Sequence, residues 1–136
     1  MSMRQIKFRG KRLDNGAWIY GDLIHIDKSD IGIVTDYDHW SGCRINPDTL
    51  GQFTGLTDHN GKEIYEGDIL STDLAKSSCE VVFRNGCFVL CLNDGEEDFY
   101  DILAPLEESV IQTKYHAVIG NIHDNPSLMI NQPTEV

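Results

Sequence analysis

The four cysteines are the residues whose chemistry can be tested most directly from their spacing. A turn at residues 85–86 centres a hairpin over residues 79–92, and its register places Cys87 and Cys91 on one face of the same strand. Four residues of strand span about 13 Å, which is too far for a disulfide and for shared ligation of one zinc ion. We therefore predict four free thiols in a reducing compartment, with Cys79 buried.

One loop carries side chains that could bind a divalent cation. Asp36, Asp38 and His39 supply two carboxylates and an imidazole, and whether they bind an ion is left open. The other histidines are scattered, without a second ligand at a defined spacing. The chain also lacks a nucleophile motif and a glycine-rich phosphate loop. We therefore predict no catalytic residue, no bound cofactor and no resident metal, and we expect that the protein is not an enzyme.

The N-terminal segment concentrates positive charge. Its basic residues are Arg4, Lys7, Arg9, Lys11 and Arg12. Four of the five could line one edge or one face of a first strand and its turn. One interpretation is a charged edge strand that discourages pairing with other chains. The alternative is a contact with phosphate or with an acidic partner.

One pattern occurs twice. Residues 15–24 and 60–70 both read asparagine, glycine, two residues, isoleucine, tyrosine and then glycine-aspartate, with Glu66 inserted in the second copy. Each copy predicts a tight turn, a strand and a glycine corner at which the aspartate accepts a backbone N–H. If the copies are equivalent, Tyr20 and Tyr65 occupy matching environments and Glu66 forms a bulge. If they are not equivalent, only the turn chemistry is shared.

Turn residues recur about every 8 to 15 positions, and β-branched and aromatic residues fill the segments between them. This spacing predicts a mostly β protein: a small multi-stranded fold of hairpins, barrel-like or with several sheets, and at most one or two short helical turns. The predicted strands are residues 4–9, 18–26 with a break at Gly21, 31–35, 50–54, 64–71, the two arms of 79–92, 99–103 and 110–119. The predicted loops are residues 36–44 and 73–78, residues 106–112 could instead form a helical turn, and Asn125 could cap a short helix that begins at Pro126.

The hairpin over residues 79–92 has a defined register. Its turn pairs Arg84 with Cys87, Phe83 with Phe88, Val82 with Val89, Val81 with Leu90 and Glu80 with Cys91. The face expected to meet the core is apolar and carries Cys79, Val81, Phe83, Phe88, Leu90 and Leu92. The opposite face is half polar. The whole chain fits a single domain over residues 1–136, with 1–56 and 57–130 as potential sub-parts and 131–136 as a frayed tail.

The formal net charge of −11 is unevenly distributed. Residues 1–34 balance at +2, and residues 35–136 balance at −13. An acidic surface repels phosphate backbones, which disfavours nucleic acid as a partner of most of the molecule. No apolar stretch approaches the roughly 20 residues of a membrane span, and no apolar segment follows the charged N-terminus as it does in a signal peptide. We therefore expect a cytoplasmic protein without membrane contact.

Three blocks of the sequence resemble the YopX family of small phage and prophage proteins. Residues 6–11 read IKFRGK, residues 51–70 read GQFTGLTDHNGKEIYEGDIL, and residues 118–126 read VIGNIHDNP. The resemblance implies a mostly β fold and a phage or prophage origin, so that the protein would act in a bacterial host cell. It implies no established activity, cofactor or catalytic residue. Residues 24–46 show the least of the family pattern.

The leading functional hypothesis is a non-enzymatic accessory protein that binds or regulates another protein of the host or the phage. Tyr37, Trp40 and Tyr100 are the aromatic residues expected to anchor such a contact. One alternative is a self-assembling structural protein that pairs through edge strands. Another is a nucleic-acid-associated protein that uses its basic N-terminal strand. A third is a metal-dependent enzyme that uses the loop with Asp36 and Asp38.

Overall fold

The computed structural model describes residues 5–35, 42–72, 78–93, 98–102 and 116–129. Within these ranges the chain forms strands and two 3-10 helices, Pro47–Thr49 and Pro126–Met129. The strands are β1 (Phe8–Lys11), β2 (Trp18–His25), β3 (Ile31–Val34), β4 (Cys43–Arg44), β5 (Gly51–Thr57), β6 (Glu63–Tyr65), β7 (Asp68–Thr72), β8 (Ser78–Arg84), β9 (Cys87–Asn93), β10 (Asp98–Ile102) and β11 (His116–Asn121). The prediction of a mostly β protein with at most two short helical turns is confirmed.

The described strands form two sheets. The first has six strands in the order β4-β3-β2-β1-β5-β6, and the second has five strands in the order β10-β9-β8-β7-β11. Neither order closes on itself within the described strands, so the multi-sheet alternative is correct and the barrel-like one is not. Backbone contacts divide the chain into two compact units, Met1–Gly55 and Leu56–Val136. That the units act as one domain stays a prediction, and the tail over residues 131–136 lies outside the described residues.

The predicted turn between β1 and β2 is confirmed. Gly16 adopts a φ of 74°, which glycine tolerates without strain, and its N–H donates to the carbonyl of Arg12 at 2.9 Å. The side chain of Asn15 accepts the N–H of Ala17 at 2.9 Å. The turn sets the antiparallel register in which Lys11 lies opposite Trp18. β1 begins at Phe8, four residues later than the predicted start of the first strand.

The core of the first unit includes Ile33, Val34, Ile45 and Phe53. Ile33 and Ile45 are almost fully buried, and a Cβ atom at Gly10 would collide with the side chain of Ile45. The predicted loop over residues 36–44 is partly wrong, because Cys43 and Arg44 form β4 and pair with β3. Residues 36–41 of that loop are outside the described part of the chain.

The glycine corner predicted in the second copy of the repeat is confirmed, since Glu66 and Gly67 divide the predicted strand segment 64–71 into β6 and β7. Gly67 has a φ of 94°, donates its N–H to Val81 at 2.8 Å and accepts the N–H of Ile122 at 2.9 Å. These two long-range bonds hold the backbone in a conformation that a continuous strand cannot adopt.

The two copies of the repeated pattern are not equivalent. In the first copy β2 continues through Gly21, and Tyr20 is 45% exposed. In the second copy the chain turns at Glu66, and Tyr65 is only 3% exposed. Glu66 is therefore a residue of the corner between two strands and does not form a bulge within one. The echo reflects shared turn chemistry.

The predicted hairpin register is confirmed pair by pair from Cys79–Leu92 to Arg84–Cys87. Asn85 and Gly86 both have positive φ, at 53° and 84°, as a two-residue type I′ turn requires. The two faces of the hairpin differ less in burial than predicted. Phe83 lies beside the hairpin tip and is 51% exposed, whereas Val89 and Cys91 on the supposedly half-polar face are buried.

The core of the second unit contains four of the residues that the hairpin register placed inside, Cys79, Val81, Phe88 and Leu90. Its fully buried cluster is Ile64, Leu70, Cys79, Val81 and Leu90, with Leu56, Phe88 and Val118 packed against it. The cysteines at positions 43, 79, 87 and 91 are all free, and Cys79 is buried as predicted. Their reducing compartment stays a prediction. Among the described residues, no helix is long and apolar enough to cross a membrane.

The C-terminal 3-10 helix begins at Pro126, as predicted. Asn125 lies at the predicted cap position, where its backbone carbonyl accepts the N–H of Leu128 at 3.0 Å, while its side-chain Oδ1 accepts the N–H of Asn121 at 3.2 Å. Asn121 Oδ1 in turn accepts the N–H groups of His123 and Asp124. β10 overlaps the strand predicted over residues 99–103, and β11 overlaps the last four residues of the strand predicted over 110–119 and extends to Asn121. Residues 103–115, with the predicted helical turn over 106–112, are outside the described residues.

Candidate binding surface

Three of the five N-terminal basic side chains lie on one face of the first sheet. Arg9 and Lys11 are alternate residues of β1, and successive alternate residues of a strand point to the same side. Phe53 donates its N–H to the carbonyl of Lys7 at 2.9 Å, which continues the β1–β5 ladder to Lys7. β1 pairs with β2 on one side and with β5 on the other. The interpretation as an edge-protecting strand is therefore wrong.

Aromatic side chains share this face with the three cations. The register places Trp18 opposite Lys11 and Tyr20 opposite Arg9. The Arg9 guanidinium carbon lies 4.6 Å from the Trp18 ring centre, and Lys11 Nζ lies 5.5 Å from the same centre. Each contact is within the range of a cation–π interaction.

On the other side of β1, Lys7 Nζ lies 5.1 Å from the ring centre of Phe53. We call this set the basic–aromatic face, and it consists of Lys7, Arg9, Lys11, Trp18, Tyr20 and Phe53. Each of its three cations is thus placed over an aromatic ring. Such contacts restrict the rotamers of long basic side chains, so that less conformational entropy remains to be lost when a ligand binds.

Burial differs strongly across the basic–aromatic face. Arg9 is only 6% exposed, whereas Tyr20 directly opposite it is 45% exposed. Lys7, Lys11 and Trp18 are partly exposed. Asp22 follows two residues after Tyr20, and therefore lies on the same face. Phe53 is also buried, at 7% exposed, so the face presents the two lysines and Asp22 around an exposed phenol.

Arg12 does not join this face. Arg12 donates a bidentate pair of hydrogen bonds to Asp14, with Nε–Oδ1 and Nη2–Oδ2 distances of 2.9 and 2.7 Å. The hydrogen bond from Arg12 lowers the pKa of Asp14, and the same bond raises the pKa of Arg12. Both groups are exposed, so this pair adds little to stability. Arg4 lies outside the described residues.

Two buried aspartates of the second unit are structural. Asp58 Oδ1 accepts the N–H groups of Asn60 and Lys62, and Oδ2 accepts that of Val118, each at 2.8 Å. Desolvation raises the pKa of Asp58, but these three backbone hydrogen bonds together outweigh it and hold the pKa below its ordinary value. Asp68 Oδ2 accepts the N–H of Tyr65 at 2.8 Å, which confirms the predicted role of this aspartate at the glycine corner.

The other candidate residues fall largely outside the description. Asp36, Asp38 and His39, together with Tyr37 and Trp40, lie in the undescribed residues 36–41, and the Tyr100 side chain on β10 is also not described. Across the described ranges, no group of three histidine, cysteine, aspartate or glutamate side chains could hold a metal ion.

Sequence reasoning missed the aromatic half of the basic–aromatic face. The positions of Trp18 and Tyr20 follow from the turn at Asn15 and Gly16, because that turn sets the register between β1 and β2. The signal was therefore in the sequence. Phe53 had no such signal, since its strand pairs with β1 across more than 40 residues of chain.

The second and third of the family-like blocks meet inside the second unit. β7 pairs with β11, Asp58 bonds to Val118, and Gly67 bonds to Ile122. The model of the YopX protein family matches residues 7–130. The chain belongs to the YopX family. Within this YopX-family fold, the residues that carried the resemblance build the corner and the turns that hold the second unit together.

One solved structure resembles this YopX-family protein over most of its length. It is the crystal structure of protein EF1440 from Enterococcus faecalis, with 25% sequence identity and a TM-score of 0.54. The match covers 93% of this chain and 99% of the other. None of the curated proteins matches the chain.

Proposed function

We propose that this YopX-family protein is a non-enzymatic accessory protein of phage or prophage origin, which binds another protein in the cytoplasm of the bacterial host. The observation that carries the proposal is the grouping of Arg9, Trp18 and Tyr20 on two paired strands. Tryptophan, tyrosine and arginine are the residue types most enriched at the energetic centres of protein interfaces.

The physical properties of the basic–aromatic face suit such a contact. Tyr20 offers a large exposed ring with few rotatable bonds, so that burying it costs little conformational entropy. Arg9 beside it is already almost fully buried and stacked, and is therefore preorganised. Partly exposed lysines flank the pair and form a polar rim.

Capture from lysate of infected or lysogenic host cells, followed by reconstitution with the purified partner, tests the proposal. The full chain, the Tyr20→Ala variant and the Phe83→Ala variant serve as baits. Phe83 is a matched control, because it is an exposed aromatic residue of the other sheet. We expect a specific partner that the wild type and Phe83→Ala retain and Tyr20→Ala loses. The proposal fails if no partner is specific or if Tyr20→Ala retains it.

The same face also supports a second candidate, nucleic-acid association. Cations interleaved with aromatic rings on a sheet are the usual composition of a surface that binds single-stranded nucleic acid. The net charge of −11 opposes this binding. Titration of a labelled ten-nucleotide oligothymidylate at several salt concentrations separates the two candidates, because phosphate contacts weaken steeply with salt.

A further inference from the structure

We propose that Asn85 is a site of spontaneous covalent modification, at which the backbone nitrogen of Gly86 displaces the side-chain amide. Asparagine followed by glycine is the dipeptide in which this reaction meets the least steric obstruction, since glycine has no Cβ atom beside the attacking nitrogen. The modification alters the tip of the β8–β9 hairpin, whose strands carry part of the core of the second unit. The proposal is independent of the proposed function.

The reaction needs only base and water. The Gly86 nitrogen gives up its proton and forms a bond to Asn85 Cγ, the Cγ–Nδ2 bond breaks, and the amide group leaves as ammonia with a proton from the solvent. The product is a five-membered imide ring between the side chain and the backbone. Water then opens this ring. Opening at the Cγ–N bond gives aspartate, and opening at the backbone carbonyl gives isoaspartate, in which the main chain runs through the former side chain.

The chain contains three asparagine-glycine dipeptides, at residues 15–16, 60–61 and 85–86. All six residues are exposed. The three glycines all have positive φ, and the space around the position of a Cβ atom is open at each of them. Access of water and base therefore does not distinguish the three dipeptides, but their hydrogen bonds do.

At residues 15–16 both reacting groups are held by hydrogen bonds. The N–H of Gly16 donates to the carbonyl of Arg12 at 2.9 Å. The side-chain Oδ1 of Asn15 accepts the N–H of Ala17 at 2.9 Å. The Gly16 nitrogen reaches Asn15 Cγ only when the backbone and the side chain rotate, and this rotation breaks both bonds.

At residues 60–61 the backbone is held by Asp58 on both sides of the reacting pair. The N–H of Gly61 donates to the Asp58 carbonyl at 2.9 Å. Asp58 Oδ1 accepts the N–H groups of Asn60 and Lys62, each at 2.8 Å. Bonds to a carboxylate are stronger than bonds between neutral groups, so this turn resists the rotation that the reaction requires.

Asn85 and Gly86 lack these restraints. Within the described residues, neither the Asn85 side chain nor the Gly86 N–H makes a hydrogen bond, and the turn is closed by the pairing of Arg84 with Cys87. Asn85 is also the non-glycine residue that the described part of the chain holds at positive φ, 53°. An L-residue pays an energetic cost in this region, so rotation out of it is favoured.

Each hydrogen bond that must open before the attack slows the reaction. The loss of one ordinary hydrogen bond changes such a rate by roughly fivefold. In the folded chain we therefore expect Asn85 to react at least about fivefold faster than Asn15 or Asn60.

The isoaspartate product affects the hairpin beyond its tip. It adds an atom to the main chain of a turn whose two-residue length sets the register of β8 and β9. The rings of Phe83 and Phe88 meet edge to face near this tip, with their centres 5.1 Å apart. Val81 and Leu90, the next pair on the same face, are buried in the core. Modification therefore weakens the hairpin from the tip toward the core.

Timed incubation of the full chain in mildly alkaline buffer, followed by peptide mapping with mass spectrometry, measures the rates at the three asparagines. A sample digested at time zero corrects for modification during digestion. The chain in concentrated urea is the reference, because its native hydrogen bonds are lost and the dipeptide is the same at all three positions. We expect Asn85 to lead by at least about fivefold in the folded chain and the three rates to agree within about twofold in urea.

The Asn85→Gly variant is the matched control, because a glycine-glycine pair suits the same turn and has no side chain that can react. After the same incubation, the wild type should contain a more acidic species with a lower urea midpoint, and Asn85→Gly should keep its midpoint. Equal rates in the folded chain, faster reaction at Asn15 or Asn60, or an Asn85 that reacts in urea but not in the folded chain would each overturn the proposal. An unchanged midpoint of the isoaspartate species would overturn the predicted effect on the hairpin.

Discussion

Asp58 and Val118 are sixty residues apart in the chain and are joined by a hydrogen bond of 2.8 Å from the backbone N–H of Val118 to Asp58 Oδ2. The other carboxylate oxygen closes the turn between β5 and β6 by accepting the N–H groups of Asn60 and Lys62. One side chain thus joins a local turn to a distant strand. β11 is an edge strand of the described sheet, and the Val118 N–H beside its register shift is satisfied by this carboxylate.

Replacing Asp58 by asparagine should destabilise the protein by about 2 kcal/mol, because hydrogen bonds to a charged acceptor are lost and the asparagine NH2 group meets backbone N–H groups. Urea unfolding of the purified chain measures this change. Asp14→Asn is the control, since Asp14 is exposed and its ion pair is with an exposed arginine. If the two variants had equal urea unfolding midpoints, the structural role of Asp58 would be refuted.

The same carboxylate predicts a pH dependence of stability. The pKa of Asp58 in the folded state lies below its ordinary value of 3.8, so the folded state favours the ionised form. Its contribution is fully present above pH 3.8 and is lost as the pH falls through the lower folded pKa. The difference in unfolding free energy between wild type and Asp58→Asn should stay constant from pH 7 to 5 and narrow below that window. A difference that widens on acidification contradicts the assignment.

The two aspartates of the repeated pattern should respond differently to the same substitution. Asp68 is almost fully buried and caps the corner through Tyr65, whereas Asp22 is partly exposed within a continuous strand. We expect Asp68→Asn to cost about 1 to 3 kcal/mol and Asp22→Asn to cost less than about 0.5 kcal/mol. Thermal or denaturant unfolding of the two variants side by side measures the contrast. Equal losses would restore the interpretation of the copies as equivalent.

A methyl group at Gly120 should disturb the turn that follows β11. A Cβ atom there would lie 2.5 Å from Asn125 Oδ1 and 2.8 Å from Asn125 Cγ, closer than real contacts allow. Gly120→Ala should therefore destabilise the second unit by about 1 to 3 kcal/mol. The Gly120→Ala, Asn125→Ala double variant should lose less than the sum of the single variants, because the clash is shared. Additive losses would show that Asn125 is not the obstacle.

The elements that the sequence predicted best were those governed by short-range turn chemistry. The turn at Asn85 and Gly86 admits one register, so the pairing of β8 with β9 followed from it. The corner at Gly67 was predicted from the repeated pattern, but its hydrogen bonds to Val81 and Ile122 were not, because these residues are distant in the chain. The exposure of Phe83 also depends on tertiary packing, which no local pattern encodes.

The candidate site also combines local features that the sequence predicted with a long-range strand pairing that it did not. The alternation of Lys7, Arg9 and Lys11 was visible in the sequence, and so was the turn that brings Trp18 opposite Lys11. That β1 is a central strand depends on its pairing with β5, which involves residues more than 40 positions away. The interpretation of β1 as a charged edge strand is wrong because of this pairing with β5. Sequence alone therefore located the cations without the surface to which they belong.

The most direct test of the central claim is the affinity of the purified partner, once captured, for three forms of the full chain measured by titration calorimetry. Relative to wild type, Tyr20→Ala should lose about 2 kcal/mol, or roughly 30-fold in Kd, and Phe83→Ala should stay within about twofold. Equal unfolding midpoints ensure that the comparison concerns binding. The account is contradicted if Tyr20→Ala binds as tightly as wild type, or if Phe83→Ala is the variant that loses affinity.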